Sequence, residues 1–141
     1  MQYWLFKSEP NSWSWEDQLA KGEAGEEWDG IRNYQARNHM RSMKLGDLGF
    51  FYHSVDEKRI LGVVEVCAVS HPDSTTEDER WDCVDVKAVG GFETPVTLDM
   101  CKSEPRLSEM VLVNNMRLSV QPVLKEEWDV VCEMGGYPQK S

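Results

Sequence analysis

The sequence lacks any hydrophobic run that approaches the ~18 residues of a membrane-spanning helix. Its amino terminus also lacks the basic region, apolar region and small-residue cleavage site of a signal peptide. At 141 residues and 40% apolar side chains, the chain has the length and composition of one folded unit. We therefore expect a single domain over residues 1–141, located in the cytoplasm and without membrane contact.

Cysteine and histidine are scarce, with four and three residues respectively. The cysteines stand at no spacing typical of zinc or redox sites, and no histidine stands at metal-ligand spacing relative to them. This pattern predicts reduced, mostly buried thiols, and it predicts neither a metal nor a cofactor.

Basic residues are outnumbered, because 15 lysines and arginines face 25 aspartates and glutamates, a formal net charge of −10. Such a charge weakens non-specific attraction to a polyanion. Any nucleic-acid binding must therefore come from a local basic patch. Many acidic residues lie at positions 23–29 and 77–85, and most of them are expected to form a solvated face.

Against this background, one segment is unusually dense in polar, directional groups: Trp28-Asp-Gly-Ile-Arg-Asn-Tyr-Gln-Ala-Arg-Asn38. Ile31 and Ala36 are its only aliphatic side chains, so it does not have the periodicity of a packing segment. Planar amide, guanidinium and aromatic groups suit the recognition of a flat polar ligand. The segment therefore predicts a binding site.

Hydrophobic patterning predicts an α+β domain whose mixed sheet curls into a barrel flanked by short helices. Ser14 with Asp17, and Asn33, are candidate helix N-caps. The predicted strands cover residues 3–6, 48–54, 60–69, 84–89, 96–98 and 116–122, and the predicted helices begin near residues 15, 34, 99 and 124. Residues 71–80 are expected to form a loop too polar to pack. Alternation over 116–122 places Arg117, Ser119 and Gln121 on one face, toward a site or solvent.

Four ordered motifs together resemble the EVE domain family over essentially the whole chain. They are Tyr3-Trp-Leu-Phe-Lys-Ser-Glu-Pro10, the 28–38 segment, Gly46-Asp47 followed by Phe51-Tyr-His-Ser54, and Arg117-Leu-Ser-Val-Gln-Pro122. The resemblance implies a PUA-like fold, related to the ASCH and YTH domains, that carries a nucleotide pocket. It also implies binding of modified bases, notably 5-methylcytosine and its oxidised forms in DNA, or of RNA in bacterial members. Because the basic amino-terminal extension of nuclear members is lacking, we expect a bacterial stand-alone protein.

A pocket that reads a flipped base needs stacking faces and hydrogen-bonding groups. The stacking candidates are Trp28, Tyr34 and Tyr52. Candidates for reading the base edge are Ser8, Glu9 and Asn33, with His53 and Ser54 at a nearby strand end and Gln35 and Asn38 in the 28–38 segment, which we call the central motif. Candidates for holding phosphates are Lys7, Arg32, Arg37, Arg41 and Arg117, the last accompanied by Ser119.

Two other classes of function remain open. An enzyme acting on a base would use Glu9 or His53 as general base with Ser8 or Ser54 as partner. The sequence shows no metal-ligand set, nucleophile elbow or phosphate-cradling glycine loop, so we do not expect an enzyme. A module that binds free nucleotides, another small molecule or a protein is favoured by the charge of −10.

Overall fold

The computed structural model describes residues 1–55, 58–115 and 117–138. Its centre is a six-stranded sheet with the strand order β2-β5-β4-β3-β1-β6. The strands are β1 (Tyr3–Ser8), β2 (Glu26–Glu27), β3 (Leu48–His53), β4 (Arg59–Pro72), β5 (Asp82–Thr97) and β6 (Val120–Val123). Strands β1 and β3 run parallel, and the other neighbours are antiparallel. The predicted α+β fold with a mixed sheet is confirmed, and within the described residues the sheet stays open between β2 and β6.

Five short α-helices in the described part of the chain flank the sheet: α1 (Trp15–Lys21), α2 (Tyr34–Ser42), α3 (Leu98–Ser103), α4 (Val111–Asn114) and α5 (Lys125–Gly135). Both predicted N-caps are confirmed. The Ser14 hydroxyl accepts a hydrogen bond from the Asp17 amide, and the Asn33 side chain accepts one from the Ala36 amide. Across the described ranges, no helix has the length and apolar character needed to cross a membrane.

Alternating side chains of β1 and β3 pack in two separate hydrophobic cores, one on each side of the sheet. On one side, Phe50 stacks on Trp128 of α5 with 3.9 Å between ring centroids, and Tyr52 belongs to the same cluster. On the other side, Phe6 and Phe51 pack with residues of α1, α2 and the central motif. This second side of the sheet carries the candidate site.

The strand predicted over residues 116–122 is shorter in the structure, where β6 begins at Val120. Met116 lies outside the described residues. Gln121 is fully buried and does not face a site or solvent, because its side-chain amide donates to the Leu118 carbonyl at 2.8 Å. The side-chain amide thus bonds to a turn carbonyl that a neighbouring strand would otherwise have paired. The alternation of polar residues along the sequence does not reveal such a contact.

The strands after residue 80 and the 71–80 loop each differ in part from what the sequence predicts. The strands predicted at 84–89 and 96–98 are parts of the single strand β5. This strand continues through a Gly-Gly pair, because irregularities in its register against β4 allow it to bend. Most residues of the loop over 71–80 are exposed as expected, but Asp73 is only 1% exposed. Its burial is stabilised by hydrogen bonds that tie the loop to the central motif.

Candidate functional site

A cavity of about 450 Å³ opens at the carboxyl end of β1, on the side of the sheet covered by α1 and α2. It is lined by residues 7–9, 12–13 and 26–31. The lining contains two indole rings, Trp13 and Trp28, together with four carboxylates and one lysine. Its volume falls within the ~300–1,000 Å³ typical of small-molecule sites.

The turn that follows β1 forms one wall. The Glu9 carbonyl accepts hydrogen bonds from the Ser12 and Trp13 amides, both at 2.9 Å. The buried Ser8 hydroxyl donates to the Trp13 carbonyl, and the Ser8 carbonyl accepts from the Ser54 amide at 2.9 Å. These contacts fold the chain back at the strand end, so that Trp13 faces the cavity while the Glu9 side chain stays exposed.

The Trp13 indole is held by a relay through α1. Its Nε1 donates to Gln18 Oε1 at 2.9 Å, and Gln18 Nε2 donates to the Val86 carbonyl of β5 at 3.0 Å. Gln18 is fully buried, so its side-chain amide needs partners within the protein, and these two hydrogen bonds supply them. Sequence reasoning did not single out Trp13, although its position between a strand-ending Pro10 and the Ser14 cap is a usable signal.

Trp28 also lines the cavity and is part of the core. Its amide donates to the Val84 carbonyl at 2.7 Å, and its ring meets Phe6 and Phe51 edge-on at centroid distances of 5.2 and 5.6 Å. Only 6% of the residue is exposed. The ring is therefore rigidly placed before any ligand arrives.

The polar lining of the cavity is acidic, with the carboxylates of Glu9, Glu26, Glu27 and Asp29. Burial, followed by the nearby charges of Asp73, Glu27 and Glu26, raises the pKa of Asp29. The Glu27 carboxylate accepts a hydrogen bond from the Ser74 hydroxyl at 2.8 Å. Carboxylates accept hydrogen bonds and repel anions, so the cavity suits a ligand that presents N–H donors and disfavours a phosphate. Part of the expected solvated acidic face thus lies in this cavity.

The loop after Trp28 is anchored by Asp73. Its carboxylate accepts from the Gly30 amide at 2.9 Å, from Arg32 Nη1 at 3.0 Å and from the Thr75 amide at 2.8 Å. Burial alone would raise the pKa of Asp73, but the hydrogen bonds from Thr75, Gly30 and Arg32 lower it to about 2. The cavity wall at Gly30 and the adjacent Arg32 therefore depend on an ionised, buried carboxylate.

Next to this wall lies a surface that we call the arginine–aromatic surface, formed by Arg32, Tyr34, Arg37, Arg80 and Trp81. Tyr34 stacks on Trp81 with 5.0 Å between ring centroids. The Arg37 guanidinium lies 4.7 Å from the Tyr34 centroid and that of Arg32 lies 5.5 Å from the Trp81 centroid, while Arg80 Nη1 donates to the Tyr34 hydroxyl at 3.3 Å. Three guanidinium groups are thus concentrated beside an acidic cavity in an acidic protein.

The structure brings four of the predicted site residues to the cavity itself: Lys7, Ser8, Glu9 and Trp28. Ser54 and His53 lie behind its wall, where the buried His53 accepts the Trp15 amide on Nε2 at 3.0 Å. The predicted residues at the start of α2 lie outside the cavity, on or beside the arginine–aromatic surface: Arg32, Asn33, Tyr34, Gln35, Arg37 and Asn38.

The remaining predicted residues lie elsewhere. Tyr52 is 2% exposed in the core on the other side of the sheet, where burial raises its pKa to about 12 and the Lys7 ammonium lies 5.8 Å from its ring centroid. Arg41 forms an ion pair with Asp82. Arg117 is exposed, and the Ser119 carbonyl accepts the Lys7 amide at 2.9 Å. The structure does not bring Tyr52 to the cavity.

Comparisons with known proteins agree with this architecture. The model of the EVE domain matches residues 2–134. Protein Atu2648 from Agrobacterium tumefaciens, known from a crystal structure, is 60% identical with a TM-score of 0.97, over 100% of this chain and 99% of that one. Human thymocyte nuclear protein 1 is 35% identical over 94% of this chain and 73% of its own length.

A crystal structure of human THYN1 in complex with DNA containing 5-methylcytosine superimposes with a TM-score of 0.90 at 34% identity, over 99% of this chain and 100% of that one. Both the family model and these relatives span nearly the whole chain, including the motifs that line the cavity. The chain therefore belongs to the EVE domain family.

Proposed function

We propose that this protein binds nucleic acid and holds one unstacked base in the cavity, with 5-methylcytosine in DNA as the leading ligand. The observation that carries the proposal is the cavity itself, in which two fixed indoles and an acceptor-rich edge lie beside a group of arginines. The complex of human THYN1 with 5-methylcytosine DNA supports the choice of ligand.

The first requirement is that contacts in the cavity offset the free-energy cost of unstacking the base. Unstacking costs a few kcal/mol, and stacking on an aromatic ring returns ~1–3 kcal/mol per base. Trp13 and Trp28 supply such rings, and both are held in place by hydrogen bonds to neighbouring segments. Because these rings are preorganised, little conformational entropy is lost when the base enters.

The second requirement is a hydrogen-bonding edge that discriminates between bases. The exocyclic amine of cytosine is a donor, and glutamate or aspartate is its usual acceptor in proteins. Glu9 offers an exposed carboxylate at the cavity, on the turn fixed by Ser12 and Trp13. A base with an amino donor is therefore favoured over one that presents a carbonyl oxygen at that position.

The 5-methyl group contributes less than the edge. Burial of one methyl group against an apolar wall is worth ~0.8 kcal/mol, which corresponds to about a fourfold change in affinity. The protein should prefer 5-methylcytosine over cytosine without rejecting cytosine.

The third requirement is a place for the phosphates, which the acidic cavity disfavours. The arginine–aromatic surface begins at Arg32, directly after the lining residue Ile31. We assign the flanking phosphates to Arg32, Arg37 and Arg80, with the Tyr34 ring available for a neighbouring base. A nucleic acid would then cross from the acidic cavity to a basic surface within a few residues.

The test compares Glu9→Gln with Glu16→Gln, an exposed carboxylate on α1 outside the cavity. Fluorescence anisotropy would measure the binding of labelled single- and double-stranded oligonucleotides containing cytosine or 5-methylcytosine, at two salt concentrations. Glutamine keeps an acceptor oxygen but loses the charge, which removes about half the strength of the hydrogen bond, or ~1–1.5 kcal/mol; Glu9→Gln should therefore weaken binding by roughly 5- to 13-fold, whereas Glu16→Gln should have no effect. Equal affinities for the two variants, or no binding by the native protein, would contradict the proposal.

A second candidate is a binding protein for free nucleosides, which the net charge of −10 and the acidic lining favour. Calorimetric titration with 5-methylcytidine separates the two functions, since an oligonucleotide reader gains affinity from flanking phosphates and shows a salt dependence that a nucleoside binder lacks. In either case we expect the ligand to be recovered unchanged.

A further inference from the structure

A second group of chemically reactive side chains lies where β4 and β5 pair, away from the stacking walls of the cavity. His71 of β4 stands directly opposite Cys83 of β5 in the strand register, and Asp85 follows two residues later on the same strand. One donor atom from each of these residues lies within 4.8 Å of the others. The antiparallel pairing thus assembles an imidazole, a thiol and a carboxylate.

The distances within this group are short. His71 Nε2 lies 2.8 Å from Asp85 Oδ1, and Cys83 Sγ lies 3.8 and 3.9 Å from the two ring nitrogens of His71. A second carboxylate stands beside them, because Cys83 Sγ donates to Glu27 Oε1 at 3.3 Å. Nitrogen, sulfur and carboxylate oxygen are the donors that zinc uses in proteins.

We propose that His71, Cys83 and Asp85 bind a divalent transition metal ion of the zinc type, with the adjacent carboxylate of Glu27 as the fourth ligand. Zn–S bonds of about 2.3 Å and Zn–N or Zn–O bonds of about 2.0–2.2 Å place neighbouring donors of a tetrahedral site about 3.3–3.8 Å apart. The separations of 2.8, 3.3 and 3.8 Å in this group bracket that range, so that small side-chain rotations suffice to surround an ion.

The burial of the group suits a metal ion that enters from solvent and is then held. The His71 and Asp85 side chains retain 34% and 29% of their exposure, whereas Cys83 is fully buried. The imidazole and the carboxylate therefore form the entrance, and the thiol forms the floor. Binding would replace the thiol proton and the hydrogen bond between His71 and Asp85 by bonds to the metal.

If His71 and Asp85 formed only an ion pair, this group would not bind a metal ion, so a metal titration separates the two interpretations. The intact chain would be titrated with Co²⁺, whose bond to a thiolate gives a charge-transfer absorption, and with Zn²⁺ in competition with a chromogenic chelator. We expect one equivalent of metal per chain and the absorption of a cobalt–thiolate bond. The absence of that absorption, together with no competition for Zn²⁺, would overturn the assignment.

Matched variants identify the ligands. Cys83→Ser should abolish the cobalt–thiolate absorption and lower Zn²⁺ affinity by more than the ~10–100-fold that follows the loss of an outer-shell partner. Cys67→Ser, a change at a half-buried cysteine of β4 outside the group, should alter neither. His71→Ala should weaken Zn²⁺ binding to a similar extent, with His39→Ala as its control.

Thermal melting provides a measurement that separates a lost ligand from a damaged fold. Excess Zn²⁺ should raise the melting temperature of the native chain and of Cys67→Ser, but not that of a cooperatively folded Cys83→Ser. Equal stabilisation of Cys83→Ser by Zn²⁺ would overturn the site. These outcomes do not depend on whether the cavity binds a base.

Discussion

Asp73 offers a direct test of how the wall of the cavity is held, through the substitution Asp73→Asn. The native carboxylate is 1% exposed and accepts hydrogen bonds from Gly30, Arg32 and Thr75. Asparagine keeps the shape but removes the charge, and its NH₂ group would face donors in place of an acceptor. The substitution therefore weakens the link between the 73–76 loop and the central motif.

The magnitude follows from the acidity of the carboxyl group. Its pKa is lowered from 3.8 to about 2 in the folded protein, a difference that corresponds to roughly 2–2.5 kcal/mol of stability in the ionised state. Because the folded-state pKa lies below the unfolded value, this contribution is fully present above about pH 4 and is lost as the pH falls through about 2. The native protein should lose this stability in acid, whereas Asp73→Asn has none of it to lose.

Urea denaturation between pH 7 and pH 2 would measure the effect. At pH 7 the free energy of unfolding of Asp73→Asn should be lower by about 2–3 kcal/mol, and the gap to the native protein should narrow by roughly 2 kcal/mol on acidification. Asp78→Asn is the control, because Asp78 also has a pKa lowered to about 2 but pairs with Arg80 at the surface. A gap that stays constant with pH, or one no larger than that of Asp78→Asn, would refute the reasoning.

Three further predictions concern the parts around the cavity. Gln18→Leu removes both hydrogen bonds of the relay, so it should lower the free energy of unfolding by about 1–3 kcal/mol. It should also weaken oligonucleotide binding in the anisotropy assay. Unchanged binding would show that the Trp13 ring does not need the relay. Gly62→Ala places a methyl group 2.4 Å from the Trp15 ring, at a cost of roughly 1–3 kcal/mol in thermal or chemical unfolding, whereas Gly91→Ala on the partner strand meets nothing closer than 3.6 Å and should be tolerated. Arg37→Gln should reduce the slope of log affinity against log salt by about one, and Arg106→Gln, whose arginine pairs with Glu104 and Glu133, should not.

The features that the sequence predicted best are those formed between residues close to one another along the chain. The N-caps at Ser14 and Asn33 are local hydrogen bonds between a side chain and an amide three residues later, so their residue types identify them. The polar segment after Trp28 predicted this ring at a binding site, and the structure places it both at the cavity and in the core. The family motifs added the fold, which the comparisons confirm.

The sequence could not predict contacts that depend on the pairing of distant strands. Asp73 was placed in a polar loop, yet it is buried because Gly30 and Arg32 arrive from 41–43 residues away. His71 and Cys83 became neighbours through a register between β4 and β5 that includes several irregularities. A shift of one residue in that register would turn the side chains to opposite faces, so no spacing rule along the chain could have paired them.

The separation of charge between the cavity and its surroundings bears on how an acidic protein could read a polyanion. Two of the three guanidinium groups of the arginine–aromatic surface pair with carboxylates, Arg32 with Asp73 and Arg80 with Asp78. Phosphates therefore meet a surface whose field is partly neutralised, and non-specific affinity should be low. Under the proposed function, most of the binding free energy would then come from stacking of the base on Trp13 and Trp28. A protein of this kind would dissociate readily from strands whose bases do not fit, and its selectivity would depend on the edge contact at Glu9 more than on total charge.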